Sequence, residues 1–387
     1  MSLAPRHGMT QPQYEVAAMR DHVDLAPVPP AAATGRGRLA AVVVSHNRKG
    51  QLRRTVRRLL EEGVDHLVVV DNASTDGTRD WLAGLEDARL HVILSPRNQG
   101  GAGGFEQGLR AAMALYDPDW YVVMDDDARP LPGAIARFRE LVAAGHTVNG
   151  WEALAGGVYY PDGQICETNR PSRNPFWHGR SFLRTLMGGG RTGFHVQDAD
   201  YDVRRQPLRV DAASFVGLFL SRAAIRRVGY PQGDLFIYGD DVLYTLELSQ
   251  RGGRIGFAPW LDFEHDCSTF RRGEGQIHRP LWKVYYNYRN GWFTYRRAAG
   301  PVLFWLVLLL AIPKWGLKVR GYEPGERRIY LRLLRLALRD GFLGRRDRPH
   351  RQVCALARIG QQRQRKNGDP PAPGSPSADP AAISPGE

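Results

Sequence analysis

Short apolar runs alternate with helical patterns along the first third of the chain. Four runs rich in Val, Ile or Leu predict strands: Leu39–Ser45, His66–Asp71, Leu90–Ser95 and Trp120–Met124. Apolar residues at helical spacing predict helices at Arg48–Glu62, Gly104–Tyr116 and Pro132–Ala144. Strands that alternate with helices are typical of an α/β protein whose mostly parallel sheet is covered by helices on both faces.

The pattern changes in the rest of the chain. A further strand is predicted at Phe215–Ser221 and a further helix from about Asp240, so the α/β domain extends over residues 39–270. Residues 161–207 are rich in Gly, Arg and Asn and predict irregular loops.

Residues 1–38 predict a flexible leader without a secretory signal, and either Met1 or Met9 is the start. Residues 367–387 contain six prolines and predict a disordered tail.

Charge separates a basic segment from a nearly neutral body. The 387 residues carry a net charge of +13, and 43% of them are hydrophobic, which excludes collagen, coiled coil and a wholly disordered chain. Residues 271–366 hold 23 basic and 5 acidic residues, a net charge of +18, whereas residues 1–270 have a net charge of −2. A basic segment indicates an anionic partner, either a membrane surface or a nucleic acid.

The basic segment also contains an uncharged run at 298–313 and a basic helical pattern. The run is shorter than the roughly 20 apolar residues that a spanning helix needs. The four arginines Arg328, Arg332, Arg335 and Arg339 lie on one helical face, and leucines fill much of the rest. This favours a helical region that lies on an anionic membrane surface, peripheral at its cytoplasmic face. A helical pair packed on the catalytic domain is the alternative, and nucleic-acid binding through nearby aromatic residues is a third.

The three cysteines are far apart in the sequence. Cys166, Cys267 and Cys354 form no C-x-x-C pair, which argues against a disulfide framework or a zinc ribbon and suits a reducing cytosol.

Polar residues follow the predicted strands where ligands bind in open α/β sheets. They are Ser45-His46-Asn47, Asp71-Asn72, Arg97-Asn98 with the following glycines, and Asp125-Asp126-Asp127. Three adjacent carboxylates at the end of a buried strand repel one another unless a cation neutralises them, and a divalent ion that also binds phosphate oxygens meets that need. An acidic solvated turn is the alternative.

Two further groups of residues are candidates for chemistry. Asp240 and Asp241 open a predicted helix, where carboxylates are also common as simple helix caps. His265 follows 24 residues later and could complete a metal site with Asp125 and Asp127. The glycines at 100–104 let backbone amides approach a ligand at a helix N-terminus, but they match neither the dinucleotide fingerprint nor a Walker motif.

These motifs, in this order over residues 38–270, resemble family 2 glycosyltransferases, and most closely the bacterial galactofuranosyltransferases, with rhamnosyltransferases second. The resemblance implies a GT-A fold and a metal-dependent enzyme that inverts the anomeric centre of a nucleotide-sugar donor. It implies UDP-galactofuranose, or alternatively dTDP-rhamnose, as donor and a lipid-linked or cell-surface glycan hydroxyl as acceptor.

The resemblance also implies a role for each candidate. Asp241 would be the general base, with Asp240 as its partner, and Asp125, Asp127 and His265 would hold Mn²⁺ or Mg²⁺. The donor would be bound by Ser45, His46, Asp71, Asn72, Arg97, Asn98 and Asp126. Two alternatives from other classes are a nucleotidyltransferase, which would release pyrophosphate, and a sugar-nucleotide-binding module without catalysis.

Overall fold

A computed structural model describes residues 37–145, 150–202, 206–267 and 277–366. The predicted tail and all but two residues of the predicted leader lie outside these ranges. So does the predicted domain boundary at residue 270.

One mixed sheet forms the centre of the fold. Within the described residues its strands are β1 Leu39–Ser45, β2 His66–Asp71, β3 Leu90–Leu94, β4 Trp120–Asp125, β5 Ala128–Pro130, β6 Ala153–Tyr159, β7 Leu208–Val210, β8 Leu218–Ser221 and β9 Ile255–His265. Their order is β3-β2-β1-β4-β8-β6-β9-β5, and β7 pairs with β9. The half from β3 to β4 is parallel, as predicted, whereas β8 runs antiparallel to both of its neighbours and β5 and β7 run antiparallel to β9.

Helices cover both faces of the sheet. Within the described residues the helices of the chain are α1 Lys49–Glu61, α2 Thr78–Ala83, α3 Gly100–Tyr116, α4 Ala134–Ala143, α5 Gly179–Arg184, α6 Arg222–Val228, α7 Asp240–Gln250, α8 Trp282–Leu317, α9 Pro324–Phe342 and α10 His350–Lys366. Residues of β1 alternate between the two cores: Leu39, Ala41 and Val43 join the core with α1, α2 and α4, and Ala40 and Val42 join the core with α3, α6 and α7. The α/β class with helices on both faces is confirmed.

The glycine-rich segment differs from the prediction. Helix α3 begins at Gly100, four residues before the predicted start, so these glycines lie within its first turns. A Cβ on Gly104 would lie 2.3 Å from Val44 Cγ1, and one on Gly108 would lie 2.4 Å from Val42 Cγ1. The glycines therefore allow α3 to pack closely on β1.

The strand predicted from Phe215 is also shorter than expected. It begins at Leu218 because Gly217 has a φ of 65°, which interrupts the extended backbone.

The C-terminal helices form a third core. Helix α8 bends at Gly300, which has a φ of 69°, and packs against α9 and α10. The predicted basic helix is α9. Its four arginines, Arg328, Arg332, Arg335 and Arg339, are all exposed, in agreement with the prediction that they share one helical face. Leu333 and Leu334 are buried in this core, so the leucines of α9 face protein. Among the described residues, one helical stretch, Trp282–Gly321, is long and apolar enough to cross a membrane.

Candidate active site

The carboxyl ends of three neighbouring strands bring the predicted site residues together. Ser45 at the end of β1 pairs in register with Asp71 at the end of β2, and Val44 pairs with Asp125 at the end of β4. Asp71 is fully buried, accepts a hydrogen bond from the backbone N–H of Ser74 at 3.2 Å and lies 3.4 Å from Arg79 Nε.

Residues after β2 and β3 are linked by one asparagine. The Asn72 amide donates to Gly100 O at 2.7 Å and accepts from the backbone N–H of Gln99 at 2.8 Å. Asn98 Oδ1 accepts from the N–H of Gly100 at 2.8 Å, and the His46 ring lies 2.8 Å from Asn72 O. Arg97 is exposed on the same loop. The predicted donor-binding residues on these two loops therefore form one polar edge, in which Arg97 is open to solvent.

The aspartate triplet faces an imidazole on β9. His265 Nε2 lies 3.1 Å from Asp127 Oδ1, and one ligand atom from each of Asp125, Asp127 and His265 lies within 4.8 Å of the other two. Two carboxylate oxygens and one imidazole nitrogen are a set that fits a divalent ion such as Mn²⁺ or Mg²⁺. The middle residue, Asp126, instead accepts from Ser45 Oγ at 2.7 Å.

Burial and mutual repulsion shape the protonation of the triplet. Burial raises the pKa of Asp125 to about 6, and the negative charges of Asp127 and Asp241 add to the increase. Burial and the charge of Asp127 raise the pKa of Asp126 to about 7. Burial alone would also raise the pKa of Asp127, but its hydrogen bond to His265 and the charge of Arg48 hold that pKa below its ordinary value. The site thus brings together carboxylates that repel one another, an arrangement that favours binding of a cation.

Asp240 and Asp241 open α7, as predicted, beside the triplet. Burial raises the pKa of Asp241 to about 6 and raises that of Asp240 well above its ordinary value, with the charge of Asp241 adding to the latter. Asp241 borders a cavity of about 190 Å³ that is also lined by Arg170, Arg191 and His195. A carboxylate with a pKa close to neutrality, beside a cavity, is suited to accept a proton from a bound hydroxyl.

Helix α8 positions the loop that precedes this acidic pair. Phe236 and Tyr238 have φ values of 68° and 71°, a backbone conformation that costs about 1–3 kcal/mol for residues other than glycine. The Asn290 amide donates to the carbonyls of Ile237 and Tyr238, each at 2.8 Å, and to Leu235 O at 3.0 Å. Asn290 therefore holds the strained loop in place.

Sequence reasoning missed three kinds of contributor to this site. Arg48 forms ion pairs with Asp127 and, at 3.7 Å, with Asp126. Its position just after a predicted strand, in a sheet where another strand ends in three adjacent carboxylates, was a usable signal. Asn169 Oδ1 lies 2.8 Å from His265 Nδ1, and Asn290 holds the loop before α7. No local pattern marks Asn169 or Asn290, because each acts on a segment distant in sequence.

Comparison with known proteins agrees with this geometry. Residues 40–194, which include β1 to β6 and the aspartate triplet, match the family model of glycosyl transferase family 2. The chain carries a family 2 glycosyltransferase domain. The sheet and its flanking helices form the α/β GT-A fold expected of such a domain.

Relatives extend the similarity along most of this glycosyltransferase. It is 29% identical to the galactofuranosyltransferase GlfT1 of Mycolicibacterium smegmatis over 79% of this chain and 97% of that protein. It is 26% identical to the GlfT1 of Mycobacterium tuberculosis over 78% of this chain and 96% of that protein. A solved mannosyltransferase of Pyrobaculum calidifontis, in complex with GDP-Man and Mn²⁺, is 17% identical, covers 89% of each chain and has a TM-score of 0.44.

Proposed function

We propose that this glycosyltransferase is a metal-dependent inverting galactofuranosyltransferase that uses UDP-galactofuranose as donor and a glycan hydroxyl as acceptor. The observation that carries the proposal is the convergence of Asp125, Asp127 and His265 beside Asp241 at the carboxyl edge of the sheet. The two galactofuranosyltransferases to which the chain is similar over nearly their whole length support the choice of sugar.

Each group has a defined task in the reaction. Asp125, Asp127 and His265 would hold Mn²⁺ or Mg²⁺, which supplies positive charge to the diphosphate leaving group when it is bound. Asp241 accepts the proton of the acceptor hydroxyl as that oxygen attacks the anomeric carbon. Asp240 lies directly beside it, and burial together with the negative charge of Asp241 raises the pKa of Asp240 well above its ordinary value. Attack opposite the diphosphate inverts the anomeric centre in one step.

The polar edge at the ends of β1 to β3 is the proposed donor site. Ser45, His46, Asp71, Asn72, Arg97, Asn98 and Asp126 would bind the nucleoside diphosphate. Asp126 does so through Ser45, with which it already shares a hydrogen bond. The exposed Arg97 is free to approach the ligand from solvent.

A donor screen tests the proposal directly. We expect UDP-galactofuranose with Mn²⁺ to raise the melting temperature and to release UDP on addition of an acceptor. If the protein instead prefers dTDP-rhamnose, the proposed donor is wrong but the proposed mechanism is unchanged. Release of pyrophosphate would indicate a nucleotidyltransferase, and donor binding without turnover at any metal concentration would indicate a binding module.

The metal site is tested by calorimetry with the Asp127→Ala variant. We expect Mn²⁺-dependent donor binding to be lost in this variant and kept in Glu86→Ala, a matched control whose exposed carboxylate precedes β3 at the opposite edge of the sheet. Equal donor affinity with and without Mn²⁺ in the unmodified protein would contradict the metal site.

We also propose that the C-terminal helices bind an anionic membrane surface. The second half of α8 exposes an apolar patch formed by Val302, Trp305, Leu306, Leu309 and Leu310, with side chains 55–80% exposed. The patch continues onto the end of α9, because the rings of Trp305 and Phe342 lie 6.5 Å apart. Exposed Arg296 and Lys314 flank it in sequence, and a cationic border around an apolar patch matches anionic lipid.

Vesicle co-sedimentation tests the membrane proposal. The double variant Leu306→Glu/Leu309→Glu is expected to lose binding to anionic vesicles and to retain its fold, because both side chains are exposed. Leu115→Glu, at a similarly exposed leucine on α3, is the matched control and is expected to bind as the unmodified protein does. Binding to DNA with none to vesicles would favour nucleic acid, and binding to neither would favour a purely structural role for these helices.

A further inference from the structure

Two buried thiols lie against the face of His265 that points away from Asp127. Cys267 Sγ is 3.0 Å from His265 Nδ1, and Cys166 Sγ is 3.8 Å from Cys267 Sγ. One ligand atom from each of these three residues lies within 4.8 Å of the other two. Asn169 Oδ1 lies 3.0 Å from Cys166 Sγ and 2.8 Å from His265 Nδ1. All four residues are at least 91% buried, so the cluster is shielded from bulk water.

The spacing of the two sulfurs is compatible with a metal site. Two sulfurs bound to one tetrahedral Zn²⁺ at about 2.3 Å each lie roughly 3.8 Å apart. Cys166 and Cys267 already have this separation, although they lie 101 residues apart in sequence on two different segments. Thiolate and imidazole ligands select Zn²⁺ and similar soft ions over Mg²⁺ or Mn²⁺, so this set differs in preference from the neighbouring carboxylates.

We propose that Cys166, Cys267 and His265 Nδ1 form a second, soft-metal site that binds Zn²⁺. On binding, each thiol releases its proton to solvent, and the proton that His265 Nδ1 donates to Asn169 Oδ1 leaves that nitrogen, so the two thiolates and Nδ1 can donate electron pairs to the ion. Asn169 Oδ1 is placed to supply a fourth ligand.

This second site regulates the first, a consequence that rests on the proposed function. His265 belongs to both sets, with Nδ1 facing the thiols and Nε2 facing Asp127. When Nδ1 binds Zn²⁺, the proton of the neutral imidazole resides on Nε2 and donates to Asp127. Nε2 then has no lone pair for the catalytic cation, so Zn²⁺ inhibits transfer without occupying the donor site.

Cobalt spectroscopy tests the soft site without any assay of transfer. Metal-free full-length protein, kept reduced with a phosphine, is titrated with Co²⁺, and thiolate coordination is followed as a sulfur-to-cobalt charge-transfer band. We expect a band that saturates at one cobalt per chain and is bleached by Zn²⁺. Cys166→Ser and Cys267→Ser are expected to abolish it. Cys354→Ser, which removes the thiol of α10, is the matched control and is expected to retain it.

Several results would overturn the proposal. A titration without the band, or a band that survives in both Cys166→Ser and Cys267→Ser, would exclude this cluster as the site. Cys166→Ala repeats the test without a buried hydroxyl, and circular dichroism confirms that each variant is folded. Asp125→Asn, which removes a proposed catalytic ligand outside the soft set, is expected to keep the band while transfer is lost, so failure of one proposal is distinguishable from failure of the other.

The regulatory consequence has its own measurement. Zn²⁺ inhibition of transfer at fixed Mn²⁺ is expected to weaken by about tenfold or more in Cys166→Ala. Equal inhibition of this variant and the unmodified protein would show that Zn²⁺ acts elsewhere.

Discussion

Replacement of Asn290 by alanine separates the loop before α7 from its support. The substitution removes the amide that donates to the carbonyls of Ile237 and Tyr238, each at 2.8 Å. Leu235 O keeps a donor, because Arg289 Nη2 lies 2.8 Å from it. Two partly buried carbonyls therefore lose the hydrogen bond that Asn290 provides.

The size of the effect follows mainly from those two carbonyls, and the buried Arg289 Nε adds to it because it loses its acceptor, Asn290 Oδ1, at 2.9 Å. Each lost hydrogen bond costs about 1 kcal/mol, and a buried acceptor left without a donor costs up to about 3 kcal/mol, so Asn290→Ala is expected to lower the free energy of unfolding by about 2–4 kcal/mol. The left-handed backbone of Phe236 and Tyr238 then relaxes, which displaces Asp241. Since a displacement of about 1 Å of a catalytic group costs about 100-fold in rate, we expect kcat to fall by that order.

Urea unfolding and steady-state transfer assays measure the two effects separately. Tyr288→Phe, two residues earlier on α8, is the matched control, because it removes a buried hydrogen bond of 2.7 Å to Tyr330 and leaves the loop untouched. We expect this control to lose about 1 kcal/mol of stability and to keep its kcat. If Asn290→Ala loses stability but turns over at the unmodified rate, the loop does not position the base and the reasoning is wrong.

Three further predictions concern the base and the packing of α3. Asp241→Asn is expected to lower kcat by at least about 100-fold while calorimetry shows unchanged donor affinity; an unchanged kcat would reject Asp241 as the base. Because burial raises the pKa of Asp241 to about 6, and only the ionised carboxylate accepts a proton, kcat should fall about tenfold per pH unit below that value, and a flat pH profile down to pH ~5 would contradict this assignment. Gly104→Ala is expected to lower the free energy of unfolding in urea by about 1–3 kcal/mol, because its Cβ would clash with Val44. Gly101→Ala, whose Cβ meets no atom within 4 Å, should raise that free energy by about 0.5–1 kcal/mol. Equal effects of the two substitutions would refute the packing argument.

The sequence predicted the parallel half of the sheet closely, because a local apolar run marks each of its strands. The bounds of β1 and β2 agree with the apolar runs to the residue, and the polar residues that follow them reach the same edge of the sheet. The other half was predicted less completely. Strand β8 was expected from its apolar run, but β6 and β9 were not, and their parallel pairing joins segments about 100 residues apart. A run of side chains does not indicate which distant strand it pairs with.

The same limit applies to the site. Asp125 and Asp127 could be grouped as carboxylates at one strand end, whereas the inclusion of His265 depended on the ligand chemistry of imidazole and on the order of motifs in a resembling family. Arg48 could have been found from its position after a predicted strand together with charge balance, because three carboxylates at one strand end favour positive charge nearby. The contact between Cys166 and Cys267 could not have been found from the sequence. Their spacing fits no metal-binding motif, and their proximity depends on the path of β9.

The bend at Gly300 divides α8 into two parts that contact different surroundings. The first part anchors, through Asn290, the loop that precedes Asp240 and Asp241, and the second part exposes the apolar patch around Trp305 that we propose binds lipid. Truncating the C-terminus to obtain an easily purified enzyme would strip Tyr330 and Asp340 from the buried side of this helix, where they hydrogen bond to Tyr288 and Tyr285 at 2.7 Å each. A form of the enzyme that needs no detergent is therefore better made by replacing exposed apolar residues of α8 with charged ones than by shortening the polypeptide.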